Sequence, residues 1–187
     1  MISRRLFWLG FAAALLTAFG CGGGGGGEGT PSHALACSDG GAAASDAVTM
    51  TCAGATNGTT EQVNVVIGGT AAGTTTLRGL NFDVTYDTAK LVFVPAASYA
   101  SPLFSPNALV AVTLFNGQQG RVVVSIQAFG GSPAVTVGSG QHVVLSLSFR
   151  IAPGATFSAA PLPFENTEAT TASAAISFGS SLSLSYQ

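Results

Sequence analysis

From Arg78 to Tyr86, apolar and polar side chains alternate. Leu80, Phe82, Val84 and Tyr86 fall on one side, and Asn81, Asp83 and Thr85 on the other. A period of two is that of a β-strand with one buried face; on a helix the same residues would be scattered around the axis. The pattern returns from His142 to Ile151, where Val143, Leu145, Leu147, Phe149 and Ile151 alternate with Val144, Ser146, Ser148 and Arg150. Ala108 to Asn116 and Arg121 to Phe129 are two further β-rich runs, joined by Gly117, Gln118, Gln119 and Gly120 as in a hairpin. Weaker candidates are Ala47 to Cys52, Glu61 to Ile67, Lys90 to Val94, Thr156 to Phe164, Ile176 to Phe178 and Leu182 to Tyr186. Strands this frequent, separated by turn residues, predict two packed antiparallel sheets. The body carries no helical stripe of useful length and no internal repeat, and Gly41 to Ala44 is too short to nucleate a helix.

Charge narrows the function. Only 7% of the 187 residues are charged, with 6 Lys+Arg against 8 Asp+Glu, while 47% are hydrophobic. A disordered chain needs the opposite balance. Six cations scattered from Arg4 to Arg150 form no basic stripe, so nucleic acid is not an expected partner.

The first 20 residues read as an export signal. Arg4 and Arg5 precede an uncharged apolar run from Leu6 to Phe19, too short for a membrane span of about 20 residues. Ala18, Phe19 and Gly20 then lead into Cys21. This order resembles the lipobox of bacterial lipoproteins, which implies cleavage before Cys21 and its lipidation. An ordinary secretory signal and an uncleaved anchor are the alternatives. Gly22, rather than an acidic residue, follows the cysteine. By resemblance to lipoprotein sorting, that implies the outer membrane if the cell has one. Six glycines, Gly22 to Gly27, open a stretch that reads as a flexible tether over residues 21–45, before a domain at 46–187. A phosphate-cradling loop would need a strand before it and a helix after it, and neither is visible. Loss of residues 1–20 removes Arg4 and Arg5, leaving four basic against eight acidic residues, a charge of −4. The lipid, not surface charge, would then hold the protein at the membrane.

With Cys21 lipidated, the remaining cysteines, Cys37 and Cys52, form one pair, and an oxidising compartment favours a disulfide between them. Metal binding is the competing reading. It would require two more soft ligands, whereas His33 lies in the tether and His142 begins a strand.

Gly79-Leu-Asn-Phe-Asp-Val-Thr-Tyr-Asp87, followed by Thr88-Ala-Lys-Leu-Val-Phe-Val94, resembles the cohesin family. Phe82, Tyr86, Asp87 and Leu91 stand where cohesins carry an inward Phe, a Tyr-Asp corner and a Leu-initiated strand. Gly120 to Ile126 resembles the strand after the cohesin hairpin, and Gly140 to Ile151 the Gly-led strand ending in Phe149, Arg150 and Ile151. The resemblance covers Val48 to Tyr186. It implies a nine-stranded antiparallel jelly-roll sandwich, no cofactor, and a non-catalytic binding role in which one sheet face receives a dockerin-like protein domain. That face would carry Asn81, Asp83 and Thr85, joined from neighbouring strands by Thr113, Phe115, Arg121, Val123, Ser125 and Gln127. The chain has no dockerin-type calcium loop of its own, so the resemblance implies a cohesin-like module displayed on a cell surface.

No catalytic constellation is legible. There are two histidines and no G-x-S-x-G elbow; Glu165 and Glu168 read as solvated loop carboxylates; Asp83 and Asp87 are too few oxygen donors for calcium. Asn57-Gly58-Thr59 matches a glycosylation sequon within a Gly/Thr-rich turn. A polysaccharide-binding module of the same architecture is the alternative function, but it would show a row of exposed aromatics. The single Trp, Trp8, is in the signal, Tyr86 points inward, Tyr99 lies in the Pro95–Pro106 loop, and Tyr186 is near the end of the chain. A surface lipoprotein without a specific ligand is the third reading.

Overall fold

A computed structural model describes residues 34–55, 58–69, 75–95, 99–100, 103, 108–114, 120–128, 134–171 and 175–187. The alternating runs become the long strands of two sheets. One contains β2 (Ala47–Ala55), β3 (Thr60–Gly69), β5 (Leu91–Phe93), β6 (Tyr99–Ala100), β10 (Gly140–Ile151) and β13 (Ser177–Phe178). Its order is β13-β2-β3-β10-β5, with β6 also on β10. The other contains β4 (Thr75–Thr85), β7 (Ala108–Leu114), β8 (Arg121–Ala128), β9 (Val135–Val137) and β12 (Phe164–Thr171). Its order is β12-β4-β8-β7, with β9 also on β4. A small third sheet, β1-β14-β11, joins β1 (Leu35–Ser38), β14 (Ser183–Tyr186) and β11 (Ala160–Pro161). The architecture is an all-β sandwich.

The core lies where the inward sets of the two large sheets meet. Leu80, Phe82 and Val84 of β4 and Val122, Val124 and Ile126 of β8 are buried, as are Val63, Val65 and Ile67 of β3 and Leu145, Leu147 and Phe149 of β10. Each large side chain so buried contributes roughly 1.5–3 kcal/mol. Phe82 packs edge-on against Phe164 at 5.3 Å between centroids, and Phe149 sits 5.5 Å from Tyr86 and 5.6 Å from Phe93. Burial pushes the Tyr86 phenol above its ordinary value, opposed in part by hydrogen bonds with the backbone of Phe93 and Gly120. The Asp87 corner closes on itself: Asp87 Oδ1 accepts from the Ala89 N–H at 2.9 Å, and the Lys90 ammonium lies 3.6 Å from Oδ2. Gly120, at φ +93°, makes the close approach beside this corner; a Cβ there would meet the Tyr86 carbonyl oxygen at 2.5 Å.

Several sequence expectations require correction. The described residues form fourteen strand segments rather than nine strands, because short pairings such as β6, β9, β11 and β13 have no periodicity to show at two or three residues. The β2–β13 pair is parallel, not antiparallel. β1 falls inside the stretch read as tether: Leu35 to Ser38 pair with Tyr186 to Ser183, and Leu35 is buried. Glu165 and Glu168 lie on a strand, not in a loop. Strand β10 changes register between Val143 and Leu145, so Val144 is buried although strict alternation places it outward.

Glu61 faces the core end of β3 and is buried. Burial raises its carboxyl above the ordinary value near 4.5, partly offset by a hydrogen bond with the Gly54 backbone. The folded state therefore holds this proton more tightly than the unfolded chain does. Its contribution is fully present below the ordinary carboxyl value and is lost as pH rises through the raised one. Glu61→Gln, which keeps the shape and removes the charge, is expected to raise the thermal midpoint by a few degrees at neutral pH and to leave it unchanged in acid. Thermal melts across that range check the sign.

Candidate binding face

Register brings the outward residues of three strands together. Asn81 is opposite Ser125, Asp83 opposite Val123, and Thr85 opposite Arg121. On the other side of β4, Asp83 is opposite Glu165 and Asn81 opposite Glu168. Thr113 on β7 is the register partner of Val123, and Phe115 and Cys21 lie outside the described residues.

At the centre is a polar knot. Asp83 is 3% exposed, although alternation places it on the outward face. Two neighbours cover it: the Arg121 guanidinium pairs with Oδ2, and the Asn166 amide donates to the same oxygen. A carboxylate withdrawn from water must be paired and hydrogen-bonded to be tolerated, and these two groups do that. Beside it, the Ser125 hydroxyl donates to Asn81 Oδ1 at 2.7 Å. Asn166 reaches Asp83 because β12 bulges between Glu165 and Glu168, with Asn166 at φ +47°. The bulge leaves the carboxylates of Glu165 and Glu168 exposed at the edge of the face, with Gln127 exposed on β8 and Val123 half-buried between them.

Sequence reasoning missed Asn166, Glu165 and Glu168 as members of this face. The available signal was the pair Phe164 and Ala169, both packed against the core, whose odd spacing only a bulge reconciles with one strand face.

On the opposite sheet, among the described residues, the middle of β10 is covered. Ser146 and Ser148, outward by alternation, are 1% and 0% exposed, and the Ser146 hydroxyl donates to Asn64 Oδ1 at 2.7 Å. Cys37 and Cys52 are joined in a disulfide, with Cα atoms 5.8 Å apart, so it ties β1 to β2. Among the described residues, no three His, Cys, Asp or Glu side chains gather into a metal site.

No family model matches the sequence, and no curated protein matches it. Solved structures do match in fold. The chain is similar to the sixth cohesin of scaffoldin B from Acetivibrio cellulolyticus, solved in complex with a mutant Cel5 dockerin. The TM-score is 0.54 at 15% identity, covering 71% of this chain and 93% of that one. It is similar also to the seventh ScaB type I cohesin from Pseudobacteroides cellulosolvens, with TM-score 0.55, 12% identity, and coverage of 72% and 87%. A third is the cohesin module of a family 33 glycoside hydrolase from Clostridium perfringens, with TM-score 0.50, 10% identity, and coverage of 82% and 96%. The fold is therefore that of a cohesin-like β-sandwich module.

Proposed function

We propose that this protein is a non-catalytic lipoprotein of the bacterial cell envelope, in the outer membrane if the cell has one. Its cohesin-like module binds a protein partner through the β12-β4-β8-β7 face. The observation that carries the reading is the contrast between the two sheets: exposed Glu165, Glu168 and Gln127 surround an ordered polar knot on one, while the outward serines of β10 are buried on the other. The Acetivibrio cellulolyticus cohesin was solved with a dockerin, which makes a dockerin-like domain the first partner to test. The signal-like run ending in Cys21 supports the anchor. Stable anchoring takes at least two acyl chains or equivalent signals.

The experiment is affinity capture from envelope and secreted fractions with the mature chain, followed by titration of the captured partner against variants. Asp83 is unsuitable there because it is buried, so exposed positions are used. Glu168→Ala and Gln127→Ala are expected to keep the thermal midpoint, and at least one should cost about 1–2 kcal/mol of affinity. Unchanged affinity in both places the site elsewhere. Retention on cellulose or chitin, weakened by the same changes, replaces the protein partner with a polysaccharide. Mass spectrometry of the mature N-terminus checks the anchor: an unmodified Cys21, or a start elsewhere, rejects it.

A further inference from the structure

We infer that a second site, on the groove where β10 ends, binds a carboxylated sugar. The groove has a volume of about 540 Å³ and is lined by Thr59, Arg150, Ile151, Ala152, Thr156 and Tyr186, with the Pro153–Gly154 turn at its rim. That size suits one or two sugar rings.

Its chemistry is specific in three respects. First, Arg150 is exposed at this groove, and among the described residues it has no carboxylate partner. A guanidinium presents a planar fork that takes a carboxylate through two parallel N–H donors. Second, the Tyr186 ring is half-buried and packs on Phe157 at 6.2 Å between centroids, so it is held in place beside the groove. An aromatic ring with a polar tip offers an apolar surface to the C–H face of a sugar. Thr156 adds a hydroxyl for its ring substituents. Third, among the described residues, β10 at Arg150 and β14 at Tyr186 are hydrogen-bonded on both sides. Arg150 is paired on one side with Thr60 and on the other with Val92; Tyr186 is paired with Leu35, and its N–H donates to the Phe157 carbonyl oxygen at 3.2 Å. An extended peptide, which would bind by adding backbone hydrogen bonds to an open edge, finds none on the two strands that carry Arg150 and Tyr186. A ligand recognised through side chains alone fits.

Calorimetric titration of the mature protein with trigalacturonate tests this, with neutral maltotriose and an acidic peptide in parallel. The expected result is binding of trigalacturonate that weakens with salt and is roughly tenfold tighter than maltotriose. Arg150→Ala should remove that margin and Arg150→Lys restore part of it, both with the wild-type thermal midpoint. Glu168→Ala should leave sugar affinity unchanged, so failure of the partner face and of this groove are read separately. No binding of trigalacturonate, equal binding by Arg150→Ala, or Arg150-dependent binding of the acidic peptide alone overturns the assignment.

Discussion

Arg121→Met is expected to destabilise the protein by about 3–5 kcal/mol, because it leaves the Asp83 carboxylate buried without its counter-charge. Asp83 has only 4% of its side chain exposed, so the stranded charge has little access to water; Asn166 still donates but carries no charge. Methionine preserves most of the arginine stem, so little of the loss comes from packing. Replacing Asp83 as well, as in Arg121→Met with Asp83→Asn, should recover at least half of it, since a neutral amide is far less costly to bury than an unpaired carboxylate. Denaturant unfolding of the single and double variants measures the coupling directly. A single-variant cost below about 1 kcal/mol would mean the pair behaves as a solvated surface bridge instead.

Loss of the Cys37–Cys52 bond carries the next largest expected effect. The bond closes a loop of sequence separation 15, for which restriction of the unfolded chain is worth about 3 kcal/mol. The Cys37→Ser/Cys52→Ser variant should therefore melt roughly 6–12 °C below wild type. The structure adds a location to this number. Cys37 lies within β1, which is only four residues long and pairs with β14 at the end of the chain. Hydrogen exchange should consequently quicken first in β1 and β14, ahead of β3 and β10. Uniform exchange across both regions would show that the bond acts only through the unfolded state.

The long strands were legible because each buries one face over eight or more residues. Leu80, Phe82 and Val84, like Val122, Val124 and Ile126, had to point the same way, and they do. The partner of Cys37 was legible from the count of three cysteines, once the N-terminal run is read as an export signal. The candidate face was legible in part. Asn81, Asp83 and Thr85 share a side of β4 with no knowledge of the neighbours, and β8 follows the same rule.

What the alternation could not convey depends on register and on contacts far apart in sequence. The strand identity of Phe164 to Thr171 is hidden by its bulge, which breaks the period of two that alone distinguishes a strand from a polar loop. β1 has four residues, too few for a pattern, and becomes a strand only because β14, nearly 150 positions away, supplies its hydrogen bonds. Asp83 looks like a solvent-facing carboxylate in isolation and is closed off by Arg121, 38 residues on, and Asn166, 83 residues on. Local sequence thus determined the β class, the inward sets and the cysteine pairing, each a matter of side-chain chemistry along one stretch of chain. Tertiary structure alone decided which sheet face stays open, which carboxylates line it and that Arg150 and Tyr186 line one groove. Those outcomes arise from strand order and register, which no single strand encodes.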